Sequence, residues 1–187
     1  MKMQYLEQCI LAYGDALYRF CCNQTDSRYE AEELYQDTLL CVLEDPKKFQ
    51  KVKNPKCYIL GVALHLEKNK RRKRTRRDRI APVISGNVRT GEGGEIDVLA
   101  FAAGSGDETE KKVLHHELQQ RLREVIKVLP ETYQAVLSLY YGNELSVKEI
   151  AGVMKTPEAT VKSRLFQARK RLKKVLEGEG YDGTEFG

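Results

Sequence analysis

The sequence predicts an all-α protein: two helical domains joined by a flexible acidic linker, with a helix-turn-helix in the C-terminal domain. Three observations carry this reading. Apolar residues recur at three- and four-residue intervals almost throughout, and no strand pattern interrupts them. The 187 residues suit two domains of about 70–90 residues each. Charge is segregated along the chain: residues 1–79 carry a net +6, residues 80–112 a net −3 and residues 113–187 a net +2. The domains are expected at 1–80 and 110–178, with a linker at 81–109 and a tail at 179–187. Two basic pieces joined by an acidic one point to two polyanion-facing domains and a tether that avoids that surface.

In the first helix, Leu6, Ile10, Tyr13, Leu17 and Phe20 form one apolar face. Ser27 with Glu30 three residues later has capping-box form and opens a second helix, lined by Ala31, Leu34, Thr38 and Val42 and ended by Asp45-Pro46. Asn54 as N-cap and Pro55 at the first helical position start a third, which carries Tyr58, Ile59, Val62, Ala63 and Leu66 on its apolar side. It runs past Arg74, with no breaker before Pro82. Glycines at 86, 91, 93, 94, 104 and 106 among scattered acids mark the linker. The cluster at 91–94 lacks the lysine of a phosphate loop.

Helical periodicity resumes with Val113, Leu118, Leu122, Val125 and Leu129. Pro130 opens a helix through Tyr133, Val136, Leu137 and Tyr140, with Gly142 as its stop. Ser146 and Glu149 form a second capping box for a short helix to about Val153. After a turn at Met154-Lys155-Thr156, Thr156-Pro157 starts a last helix, buried along Val161, Leu165, Ala168 and Leu172 and continuing to Gly178.

That last pair of helices carries the strongest functional signal. A short helix, a tight turn and a longer basic helix predict a DNA-binding helix-turn-helix. The faces of the last helix away from its apolar stripe carry Glu158, Thr160, Lys162, Ser163, Arg164, Phe166, Gln167, Arg169, Lys170, Arg171, Lys173 and Lys174. Polar groups near the start of such a helix reach base edges, and later cations reach phosphates. Phe166 lies off the stripe and reads equally as an edge of the core or as a probe for a thymine methyl. A second signal is the run 68–79, with nine basic residues and one acid, continuing an amphipathic helix that carries Tyr58 and His65. An aromatic beside cations suits single-stranded nucleic acid. A third patch, Glu30, Glu32, Glu33 and Asp37 with Leu34, Tyr35 and Leu40 beside them, repels nucleic acid. It reads either as a docking face for a protein or as a solvated helix start favoured by the helix dipole.

The sequence speaks against other classes. No nucleophile elbow, Walker loop or HExxH occurs, and His65, His115 and His116 form no catalytic constellation, so the protein is not expected to be an enzyme. Five cysteines with neither a CxxC pair nor a nearby His at ligand spacing read as reduced thiols, so no metal and no cofactor are expected. Without an apolar span or a signal-peptide core, a cytoplasmic protein with no membrane insertion is expected.

Three stretches resemble the sigma-70 class of bacterial RNA polymerase sigma factors, in its short two-domain extracytoplasmic-function group. Residues 31–40 resemble the helix that docks on the clamp of the polymerase largest subunit. Residues 54–74 resemble the helix that melts and reads the −10 element, and 129–172 the −35-reading domain, with 160–172 the most specific run. The resemblance implies core RNA polymerase and promoter DNA as partners, and an anti-sigma factor such as often holds these proteins inactive. It implies polymerase contacts at Glu32, Glu33, Leu34, Tyr35, Gln36, Asp37 and Leu40. The −10 side falls on Tyr58, His65, Lys68, Asn69, Arg71, Arg72 and Lys73, with the preceding loop from Phe49 to Lys56. The −35 side falls on Glu158, Thr160, Lys162, Ser163, Arg164, Phe166, Gln167, Arg169 and Lys173. Tyr58 stands where the family usually has Trp, and His65 where it often has Asn; Tyr stacks with less area. The alternatives are a helix-turn-helix regulator that works without polymerase and a nonspecific nucleic-acid packaging protein. The acidic face of Glu32, Glu33 and Asp37 separates them, because only a polymerase subunit needs it.

Overall fold

The computed structural model describes residues 2–80, 122 and 124–178, which fall into two units, one on each side of the linker. Among these residues every regular element is helical. The linker, the Val113 and Leu118 positions and the tail lie outside the described residues.

The first unit packs α1 (Lys2–Gln24), α2 (Arg28–Glu44), α3 (Pro46–Gln50) and α4 (Pro55–Ile80) around one core. The face expected on α1 is buried at Leu6, Leu17 and Phe20, with Cys9, Ala16 and Cys21 completing it, while Ile10 and Tyr13 are half-buried. Ala31, Leu34, Thr38 and Val42 line the inner face of α2 as expected, and the buried Thr38 hydroxyl donates to the Leu34 carbonyl at 2.7 Å. Ser27 caps α2 by accepting from the Glu30 amide at 3.2 Å. The reciprocal half of the box differs from expectation: the Glu30 carboxylate takes the Asp26 amide, one residue before the cap.

Asp45-Pro46 ends α2 but does not open a loop. Asp45 caps α3 by accepting from the Lys48 amide at 3.0 Å, with Pro46 in the first turn. The segment from Phe49, expected as a loop, therefore begins inside a helix, and Phe49 is buried in the core. The dipeptide that stops one helix also has the cap and fixed φ that start another. Asn54 caps α4 through the Cys57 amide at 3.1 Å. Ile59, Leu60 and Ala63 carry its buried side, with Tyr58, Val62 and Leu66 half-buried around them.

In the second unit a helical stretch at 124–128 leads to α5 (Glu131–Leu137), α6 (Val147–Met154) and α7 (Glu158–Gly178). Val125 and Leu129 are buried, and the Gln134 amide donates to the carbonyls of Lys127 and Leu129, closing the end of that stretch. α5 does not run on as an α-helix to Gly142 as expected: residues Ser138–Gly142 form a π-helical turn. The buried Asn143 amide satisfies the Ser138 carbonyl at 3.1 Å, and Glu144 takes a left-handed conformation (φ 54°). The capping box at Ser146 and Glu149 is complete in both directions. α7 begins at Glu158, with the Pro157 carbonyl accepting from Thr160 and Val161. Its buried stripe is Val161, Leu165, Ala168 and Leu176; Leu172, expected there, is half-buried.

Candidate nucleic-acid interface and docking face

The turn between α6 and α7 is set by backbone bonding. The Thr156 amide donates to the Ala151 carbonyl at 3.0 Å and the Lys155 amide to that of Gly152 at 3.4 Å, the pair of a Schellman stop. Lys155 is left-handed (φ 51°), where glycine is the usual residue. This fixes α7 against α6 as the second helix of a helix-turn-helix.

On α7, Glu158, Lys162, Ser163 and Gln167 are exposed, and Thr160 and Arg164 are half-buried at the edge of the stripe. Phe166 is 63% exposed, which settles its position outside the core. Lys173 pairs loosely with Glu177 at 3.5 Å. Two cations are differently engaged. The Arg169 guanidinium stands over the rings of Tyr140 and Tyr141, at 5.4 and 5.5 Å, and Arg171 stands over Tyr133 at 4.9 Å.

In the first unit the basic run of α4 divides into two groups. Lys68, Arg72 and Lys73 are exposed, as is His65, which bonds the Asn69 amide at 3.0 Å. Arg71, read from sequence as a DNA contact, is instead tied inward: it pairs with the buried Glu67 at 2.6 Å and donates to the Gln24 carbonyl. Lys70 lies between Asp37 at 2.8 Å and Glu33 at 3.3 Å, and Arg74 reaches Glu30 at 2.7 Å. Burial works against the Lys70 charge, but the Asp37 and Glu33 carboxylates outweigh it and hold its pKa above the ordinary 10.5. Tyr58 is half-buried, edge-on to Phe49 at 5.8 Å, with Lys48 6.0 Å above its ring.

The acidic patch is only partly the surface the sequence implied. Leu34 is fully buried and belongs to the core, not to an outward face. Tyr35 is half-buried, edge-on to Tyr18 at 5.8 Å, and burial raises its phenol pKa. Its hydroxyl would stand 3.1 Å from a Cβ at position 14, so Gly14 gives it room. What faces outward is Glu33, Gln36 and Leu40, with Glu32 and Asp37 on the flanks. Tyr29 and Leu43, both exposed, extend this surface and were missed, although Tyr29 is a four-residue step before Glu33.

Among the described residues no helix is long and apolar enough to cross a membrane, and no cluster of three potential metal ligands occurs. Cys9 and Cys21 are buried, Cys22 and Cys57 half-buried, and Cys41 exposed; burial pushes the Cys21 thiol well up.

A two-unit helical chain with a helix-turn-helix in one unit and a basic helix facing an acidic one in the other has the form of a DNA-binding transcription factor. Residues 9–77 match the family model for sigma-70 region 2 and residues 119–172 that for sigma-70 region 4. The ECF RNA polymerase sigma factor SigW of Bacillus subtilis (strain 168) is 26% identical over 164 residues, 88% of this chain and 84% of that one. RNA polymerase sigma factor HrpL of Pseudomonas syringae pv. syringae is 30% identical over 148 residues, 79% of this chain and 74% of that one. In fold, the chain is similar to the sigma factor RpoE from Bartonella quintana, solved with the anti-sigma factor NepR, at a TM-score of 0.68 and 21% identity, covering 91% and 96% of the two chains. The chain belongs to the sigma-70 family, in its extracytoplasmic-function group, and is a promoter-specific sigma factor for RNA polymerase. Sigma factors are in general not enzymes but initiation factors.

Proposed function

We propose that this chain docks on core RNA polymerase through the outward face of α2, holds the −35 element as duplex on α7, and holds the melted −10 element on α4. The observation that carries this is the helix-turn-helix of residues 147–178, whose α7 leaves Lys162, Ser163, Phe166 and Gln167 exposed together near its start. Those side chains suit base edges in a major groove, with Phe166 on a thymine methyl. On α4, His65, Lys68, Asn69, Arg72 and Lys73 take the single strand, and Tyr58 flanks it. Each unstacked base costs a few kcal/mol, offset by stacking and pocket contacts. Core polymerase supplies the chemistry, so the chain itself is no enzyme and acts in the cytoplasm. It also holds the two weak readers at one separation, which raises avidity by effective concentration. An anti-sigma partner is proposed on the likeness to RpoE, which was solved with one.

The test is co-purification with bacterial core polymerase, followed by run-off transcription from randomised promoters. Start sites sharing two spaced elements are expected. Glu33→Lys should abolish transcription and leave duplex binding by the full chain nearly unchanged. Normal transcription by Glu33→Lys would refute the docking face, and duplex binding without core binding would favour an independent regulator.

A further inference from the structure

Arg169 and Arg171 lie on opposite flanks of the α7 stripe. At about 100° per residue, Arg169 is one step past the buried Ala168, while Arg171 is one step short of the half-buried Leu172. Both lean on tyrosines of α5 and its π-helical continuation, at opposite ends of that segment. Arg171 stands over Tyr133 near the start of α5. Arg169 stands over Tyr140 and Tyr141 in the π-helical turn.

The π-helical turn bears on the second contact. Adjacent residues of an α-helix point about 100° apart and rarely meet one neighbour together. Here the rings of Tyr140 and Tyr141 meet edge to face at 4.9 Å and share one guanidinium. The turn itself is held by the buried Asn143 amide on Ser138 and by the Leu145 amide on Leu139.

From this we infer that Arg169 and Arg171 are positioning residues that fix the roll of α7 about its own axis through the tyrosines, and that Arg169 does not read a base. Two braces on opposite flanks oppose rotation in both senses, adding to the resistance of the buried stripe. With a helix radius of about 5 Å, a 20° roll would move its outer atoms by about 2 Å, enough to break a base-edge hydrogen bond. The inference rests on the proposal that α7 reads the −35 element, and it reassigns Arg169 within that reading.

The test uses the full chain with bacterial core polymerase and a library randomised in the upstream element. If wild type yields no enriched upstream sequence, the functional reading itself fails before any variant is compared. Lys keeps the charge of Arg but lacks its planar, stacking head, and Phe keeps the ring of Tyr. Arg169→Lys, and Tyr140→Leu combined with Tyr141→Leu, should each lower the enrichment of the best sequence over scrambled ones. The expected loss is about two- to fivefold, the worth of an exposed cation–π contact. The preferred sequence and the salt dependence should stay unchanged, and the melting temperature should fall by no more than about 8 °C, the worth of the same contact in the free chain. Tyr140→Phe with Tyr141→Phe should keep wild-type enrichment, and joining Arg169→Lys to the leucine pair should add nothing further. Arg171→Lys and Tyr133→Leu should behave as a second such pair. A changed base preference in Arg169→Lys would overturn the inference. So would a salt slope lowered by about 0.9 in Arg169→Gln, the signature of one lost phosphate, with the leucine variants behaving as wild type. Equal loss on best and scrambled sequences with a lowered melting temperature would also overturn it, by making the contacts merely structural.

Discussion

Arg71 and Arg72 are neighbours in the same basic run, and the structure predicts opposite consequences for replacing them. Glu67 is buried, with only 7% of its side chain exposed, and its carboxylate meets the Arg71 guanidinium, whose side chain is 23% exposed. Arg71→Gln leaves that carboxylate in the interior without its cation. Removing one partner of a fully buried pair costs about 3–5 kcal/mol. Because Arg71 is partly exposed, water recovers some of this, and we take about 2–3 kcal/mol. For a domain of this size each kcal/mol shifts the melting temperature by about 4–8 °C, so a drop of about 10–20 °C is expected. Arg72 is exposed, and Arg72→Gln should change stability by no more than about 0.5 kcal/mol. It should instead lower the salt slope for single-stranded DNA by about 0.7, one phosphate contact. Far-UV circular dichroism melts of the full-length variants, paired with DNA titrations at several salt concentrations, separate the two. Arg71→Gln melting within about 2 °C of wild type while losing one phosphate's worth of salt slope would refute the assignment.

Two further outcomes follow from the same structure. Ser146→Ala removes the acceptor for the Glu149 amide and the hydroxyl that donates to the Glu149 carboxylate, while the backbone amide of residue 146 still reaches that carboxylate. The loss should cost the C-terminal domain about 1 kcal/mol, or about 4–8 °C in its melt, and an unshifted melt would mean the cap contributes nothing. Alkaline pH should weaken the N-terminal domain. Burial raises the Tyr18 and Tyr35 phenols above the ordinary 10.0, and the net shift of Lys70 is also upward, from 10.5. Each raised group gives stability that is full below its unfolded pKa and lost as pH rises through its folded one. Burial raises the Cys21 thiol too, so urea midpoints should begin to fall at about pH 8.5–9, where the unfolded thiol titrates, and fall more steeply above about pH 10, with Tyr18→Phe and Tyr35→Phe flattening that second part.

Much of the fold was legible because its signals are local. Ser146 with Glu149, Asn54 with Pro55, and the stripe of Ala31, Leu34, Thr38 and Val42 each involve residues within one or a few helical turns. What escaped depends on residues far apart in sequence. That Arg71 binds the Gln24 carbonyl, and that Lys70 falls between Glu33 and Asp37, follows only from how α4 crosses α2. A cation in a basic run looks the same whether it faces water or a carboxylate. Leu34 is placed twice, on the inner stripe by its spacing and on the docking face by the likeness, which covers both sides of the helix; the structure agrees with the spacing. The α3 helix and the π-helical turn are departures of a single turn, too short for periodicity to register.

That π-helical turn has a consequence for anyone placing this chain beside a relative. A π-turn is the form a helix takes when it accommodates one residue more than an α-turn would. Between Leu137 and Ser146, then, a relative with a plain α-turn and the same bend after it would be one residue shorter, and an alignment through the region would open a single-position gap. Put that gap inside 138–142 and the tyrosines keep their correspondence with the arginine across from them. Put it in the following bend, and Tyr140 is compared with the wrong neighbour, so that a substitution would be tallied at a site where none occurred.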